Sequence, residues 1–95
     1  MRPYELMLVI HPTLEEEALE ARIGKVQEII TGRGGEIVKT DKWGKRKLAY
    51  EINDLTEGFY VVMQFQGEAN IAAELERVLK ITDDVIRHLL TRTDE

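Results

Sequence analysis

Ninety-five residues hold one hydrophobic core and leave no room for two. Cysteine and serine are both absent, which excludes disulfides, thiolate metal sites and the commonest thiol and hydroxyl nucleophiles. A net charge of -5 argues mildly against a nucleic-acid binder, because phosphate recognition needs positive potential.

The hydrophobic fraction of 43% is that of a globular protein, and one domain over residues 1–95 is expected. Arg2 is a lone basic residue, and the apolar run from Leu6 to Ile10 is too short for a secretory h-region. No stretch approaches the ~20 apolar residues of a membrane span. A cytoplasmic protein is the expectation.

Residues 4–10 read as a first strand, with apolar residues at the even positions after Tyr4. His11-Pro12 ends it, since proline cannot donate to a central ladder. Thr13 has the chemistry of a helix N-cap, with Glu16 as its capping-box partner. Glu15, Glu16 and Glu17 suit the positive end of the helix dipole. Leu19, Ile23, Val26 and Ile30 then recur at helical spacing as one buried stripe, and Gly34-Gly35 close the helix.

A long second strand is expected from Glu36 toward Ile52, bent or bulged at Gly44. Asn53-Asp54 and Gly58 mark a hairpin turn. Residues 59–65 are rich in β-formers and give a third strand. A second helix follows over about 70–80, with Ile71, Leu75, Val78 and Leu79 on one face, and a last strand runs over 85–91. The order β-α-β-β-α-β predicts an α+β, ferredoxin-like fold. Its four-stranded antiparallel sheet has both helices on one face and the other face open.

The segment Trp43-Gly44-Lys45-Arg46-Lys47-Leu48-Ala49-Tyr50 sets three consecutive cations between an indole and a phenol. Cations attract phosphates, and exposed bases stack on aromatic rings or on a guanidinium plane. The same block also reads as an edge strand guarded by Lys and Arg against edge-to-edge pairing. Strand alternation sets Arg46 apart from Lys45 and Lys47. A second cluster is expected where the first and last strands pair: Arg2 and Tyr4 with Arg87 and Arg92. An ordinary charged rim accounts for these residues as well.

Gly32-Arg33-Gly34-Gly35 follows a helix rather than preceding one, so carbonyls and not N–H groups point outward, and capping explains it better than phosphate binding. His11 and His88 have no sequence-local acidic or histidine partners at ligand spacing, so no metal and no cofactor are expected. No constellation reads as catalytic, and no enzyme activity or small-molecule substrate is expected.

Several pieces in order resemble the bacterial ribosomal small-subunit protein six family. They are Met1-Arg2-Pro3-Tyr4-Glu5, His11-Pro12, the Trp43 to Tyr50 block, Tyr60-Val61, Val85-Ile86-Arg87 and Thr91-Arg92-Thr93. The block is the most specific, and together the pieces cover nearly the whole chain. The resemblance implies a structural constituent of the small ribosomal subunit, in the cytoplasm. It also implies binding to the central domain of small-subunit ribosomal RNA together with ribosomal small-subunit protein eighteen. The family's RNA and partner contacts map onto Arg2, Tyr4, Arg46, Tyr50, Arg87 and Arg92, and extend to Trp43 and Lys45. A basic partner would offset the acidic net charge and make binding cooperative. The chain departs from the family pattern in having Glu51 where proline usually follows the tyrosine of the block. It also stops at Asp94-Glu95, where many members carry a longer acidic or mixed tail.

Two rival readings share the fold. One is a regulatory or ligand-binding module that dimerises through the open sheet face, with Met7, Val9 and Val62 supplying apolar contact. The other is an acylphosphatase-like hydrolase, which needs a phosphate cradle before the first helix, and His11-Pro12-Thr13 supplies no glycine-rich loop there.

Overall fold

The computed structural model describes residues 1–52 and 54–93. Its elements are β1 (Arg2–Ile10), α1 (Glu16–Gly32), β2 (Glu36–Ile52), β3 (Leu55–Gly67), α2 (Ala69–Lys80) and β4 (Val85–Arg92). The strands form one antiparallel sheet in the order β2-β3-β1-β4, which is the ferredoxin-like arrangement expected. Both helices cover one face.

The period-2 pattern of β1 sets the division between the faces. Tyr4, Leu6, Leu8 and Ile10 are buried, and opposite them in register stand Phe65, Met63, Val61 and Phe59 of β3. These residues meet Ile23, Val26 and Ile30 of α1 and Ile71, Leu75 and Leu79 of α2 in one core. Tyr4 and Phe65 stack with centroids 5.3 Å apart. The alternate residues, Glu5, Met7 and Val9, face the other side with Gln64, Val62 and Tyr60.

Three local expectations are corrected. Thr13 does not cap α1. Its hydroxyl hydrogen-bonds His11 Nδ1 at 2.8 Å, and the Leu14 N–H donates to the His11 carbonyl. The chain therefore turns once more before the helix starts after Glu15, which supplies no side-chain cap. Glu16 and Glu17 still occupy the first turn, where the dipole favours them.

Gly58 is not a turn residue. It lies inside β3 opposite Arg46, and the hairpin closes further out, at Ile52 and Leu55. Of the expected turn pair, Asp54 has φ 65° and Asn53 lies outside the described residues, as do Asp94 and Glu95.

The open face is also less open than expected. Val9 and Val62 are buried, at 4% and 8% exposure. Residues 55–58 of β3 extend past the last partner that β1 offers, the pair Ile10–Phe59. This overhanging end of the β2–β3 hairpin comes back against the sheet. A Cβ at Gly58 would stand 2.5 Å from Val9 Cγ1, so only glycine lets the two strands approach this closely. Of the three apolar residues named for a homodimer, only Met7 stays partly exposed.

Candidate nucleic-acid interface

Three register shifts decide where the side chains of β2 point. Lys42 pairs with Val61 and Gly44 with Tyr60, so Trp43 is an extra residue between two paired ones. Gly44 takes φ +85°, a conformation that L side chains rarely adopt. Such a bulge re-aims the side chains beside it. Trp43 thereby reaches the open face and stacks on Tyr60, with centroids 6.2 Å apart and the planes 10° from parallel. Lys42 stays on the helix-covered side and forms an ion pair with Glu20 of α1.

Beyond the bulge the cations separate as alternation requires. Lys45 lies opposite Phe59, with its ammonium 5.4 Å from that ring's centroid. Arg46 lies opposite Gly58 on the open face. Its guanidinium sits 5.8 Å from the Trp43 ring centroid, and its Nε donates to the Trp43 carbonyl at 3.3 Å. Trp43 is thus in contact with both Tyr60 and Arg46.

The last strand meets this group from the opposite edge of the sheet. Arg87 is paired with Val9 and so faces the open side. Its guanidinium lies 5.8 Å from the Tyr50 ring centroid and donates to the Tyr50 hydroxyl at 2.5 Å. Tyr50 belongs to β2, at the far edge of the sheet from β4, so the curled hairpin brings these two residues together. Val9, Tyr50, Tyr60 and Arg87 line one small cleft. Met7, Tyr60, Arg87 and Leu89 line the next. Trp43, Tyr50 and Leu89 remain 47%, 61% and 54% exposed.

The eight residues singled out in the sequence therefore fall into two groups. Trp43, Arg46, Tyr50 and Arg87 converge on the open face. The other four, Arg2, Tyr4, Lys45 and Arg92, follow the opposite alternation. Arg2 stands opposite Gly67, and Arg92 opposite Tyr4. The Tyr4 ring is in the core, 6% exposed. Arg87 and Arg92 are five positions apart on one strand, roughly 17 Å, and face opposite sides. The expected chain-end cluster is split accordingly.

Sequence reasoning missed Tyr60, the ring beneath Trp43, because it reads as one more β-former in an apolar strand. It also missed the partner of His88, whose Nε2 lies 2.8 Å from Glu76 Oε1 on α2. On the helix side, Arg22 pairs with Asp84 at 2.9 Å. Arg33 and Arg77 converge on Glu74. The hydrogen bond from Arg77 is the largest influence and holds the Glu74 carboxyl below its ordinary range; desolvation opposes it, and the charges of Arg77 and Arg33 each add a smaller lowering effect. No helix among the described residues is long and apolar enough to cross a membrane.

Comparison with known proteins gives a consistent result. The family model for ribosomal protein S6 matches residues 3–92. The small ribosomal subunit protein bS6 of Heliobacterium modesticaldum is 52% identical over 95 residues, covering all of this chain and 99% of the relative. That of Desulfitobacterium hafniense is 50% identical over the full length of both. The crystal structure of 30S ribosomal protein S6 from Thermotoga maritima superposes with a TM-score of 0.91 at 38% identity. It covers 96% of this chain and 86% of that one. With a full-length sequence match and a shared fold, the chain belongs to the ribosomal protein S6 family and is a structural protein of the small subunit of the cytoplasmic ribosome.

Proposed function

We propose that the chain binds the central domain of small-subunit ribosomal RNA jointly with ribosomal small-subunit protein eighteen. One observation carries this reading. Arg46 and Arg87, from opposite edges of the sheet, each lie over an exposed aromatic ring on the same face. Guanidinium groups present planar donor forks to phosphate oxygens, and the rings beside them offer stacking surfaces to unpaired bases. Trp43 and Tyr50 are the proposed stacking surfaces. Lys45, Arg2 and Arg92 extend the contact along the margins, and buried Tyr4 anchors β1 beside Arg92. The mechanism is recognition by shape and charge, with no chemical step.

A net charge of -5 makes the partner necessary in this reading. The anionic helix side repels RNA, and a basic companion docked beside the cationic face offsets the repulsion within a Debye length of about 8–10 Å. The test is binding of a central-domain RNA fragment, with and without protein eighteen, by wild type, Arg46→Ala and Arg87→Ala across a salt series. Each variant should bind more weakly. The slope of log affinity against log salt should also become shallower, by about 0.7–0.9 for every phosphate that a variant no longer neutralises. Unchanged affinity and slope in both variants would remove this face from the RNA interface. The chain should further travel with small subunits at moderate salt and leave them at high salt.

A further inference from the structure

We infer that Tyr60 is a positioning residue for the cationic face: it holds Trp43, and through Trp43 the Arg46 guanidinium, in a preset orientation. The inference deepens the RNA-binding reading and rests on it.

Trp43, the extra residue of the bulge, has no residue directly opposite it in the β2–β3 register, so no cross-strand side chain packs beside it there. What lies against the indole is Tyr60 on one side, nearly parallel to it at 6.2 Å, and Arg46 over its ring. Tyr60 is itself paired in register with both Val9 and Gly44, so it is fixed by strands on either side. Gly58, opposite Arg46, has no side chain for it to pack against. Arg46 rests instead on the Trp43 ring and the Trp43 carbonyl. Order therefore passes from the sheet to Tyr60, from Tyr60 to Trp43, and from Trp43 to Arg46. Tyr60 also lines the clefts that hold Arg87, which makes it the ring shared by both arginine sites.

An arginine restrained before binding loses less side-chain entropy on meeting a phosphate. Removing the platform should weaken RNA binding without removing a charge. Affinity and salt dependence then respond differently, which separates a positioning residue from a contact residue.

The experiment compares full-length wild type, Tyr60→Leu, Tyr60→Phe, Trp43→Leu and the Tyr60→Leu/Trp43→Leu double variant. Each is binding-tested with the central-domain RNA fragment plus protein eighteen, and each is checked by urea unfolding. Trp43 is the sole tryptophan, so its emission and its quenching by iodide report the stack with no RNA present. In Tyr60→Leu the emission should move to longer wavelength, and quenching should rise. Affinity should fall roughly two- to tenfold, and the salt slope should stay at the wild-type value. Tyr60→Phe keeps the ring and should restore both readouts. Trp43→Leu should bind at least as weakly as Tyr60→Leu, because it also loses the indole face offered to bases, and the double variant should lose less than the sum of the two single effects, because the Tyr60–Trp43 contact is missing from all three.

Wild-type Trp43 emission in Tyr60→Leu, or additive effects in the double variant, would overturn the inference. So would wild-type affinity in Tyr60→Leu while Arg46→Ala binds more weakly. If Arg46→Ala itself binds like wild type, the RNA reading of Arg46 fails instead, and Trp43 emission alone decides whether Tyr60 orders the stack. Should Tyr60→Leu unfold, Trp43→Leu carries the test, since Trp43 is outside the core. Wild-type affinity in that variant would then overturn the inference.

Discussion

The two faces of the sheet meet opposite demands with the same strands. On the covered face, alternate residues of β1 and β3 join the helices in an apolar core, and no polar or charged residue among those described is buried there. On the open face, β2 carries two rings that stay exposed, Trp43 and Tyr50, with the guanidinium groups of Arg46 from β2 and Arg87 from β4 laid over them. The first arrangement lowers free energy on folding by removing apolar area from water. The second keeps polar and aromatic groups available in a fixed geometry. A substitution on the covered face should therefore be read in unfolding, and one on the open face in binding.

The strongest challenge to that division is Phe65→Ala. The ring is 1% exposed and stacked on Tyr4, so truncation should cost about 3–5 kcal/mol of stability, measured by urea unfolding. A cost below about 1 kcal/mol, the size of an ordinary surface change, would mean that the covered face does not hold the fold.

Gly58→Ala tests the seam between the faces. Its new methyl group would meet Val9 Cγ1 at 2.5 Å, and a β-branched valine cannot turn aside freely. A destabilisation of about 1–3 kcal/mol is expected, with the hairpin lifted off β1 and the Tyr50–Arg87 pair separated. Wild-type stability together with an intact pair, read from the Tyr50 and Arg87 NMR signals, would refute the close approach.

Arg87→Ala should lower stability by less than about 1 kcal/mol, the scale of an exposed cation–π interaction, while weakening the proposed RNA binding. A destabilisation as large as that of Phe65→Ala would make the open face a folding element and blur the comparison.

The smallest effect concerns α2. The folded-state value of Glu74 lies below its ordinary one, chiefly through the Arg77 hydrogen bond. Its contribution is present above the unfolded carboxylate value and disappears as pH falls through the folded one. Glu74→Gln should therefore flatten the decline of stability on acidification in that window. A pH series of urea midpoints parallel to wild type would show that the pair contributes nothing measurable, as many surface pairs do.

Much of the fold is legible in the sequence because its signals are local. The stripe of Ile23, Val26 and Ile30 and the even-numbered residues from Tyr4 to Ile10 show their periods directly in the chain, and both stripes are buried. The helix start is misleading at Thr13, where a short turn competing for the same hydroxyl is indistinguishable from a cap until the His11 ring is in place. In the candidate site, Arg46 and Arg87 stand out in the sequence as cations of strands. Their convergence is not legible there, since it depends on three register shifts in β2 and on a hairpin that overhangs its neighbour. The place of Tyr60 beneath Trp43 gives no signal, because an aromatic residue in a β-rich run has the same appearance whether it faces a core or an open sheet.

The amino-acid order alone settled the element sequence, the core and the position of the positive charge along the chain, because propensity, periodicity and charge are properties of neighbouring residues. Only the folded sheet settled which cations share a face. A single extra residue at Trp43 changes where the side chains beside it point, and the approach of Gly58 to Val9 folds one edge back toward the other. Both depend on contacts between strands far apart in sequence, and those contacts exist only once the sheet has formed.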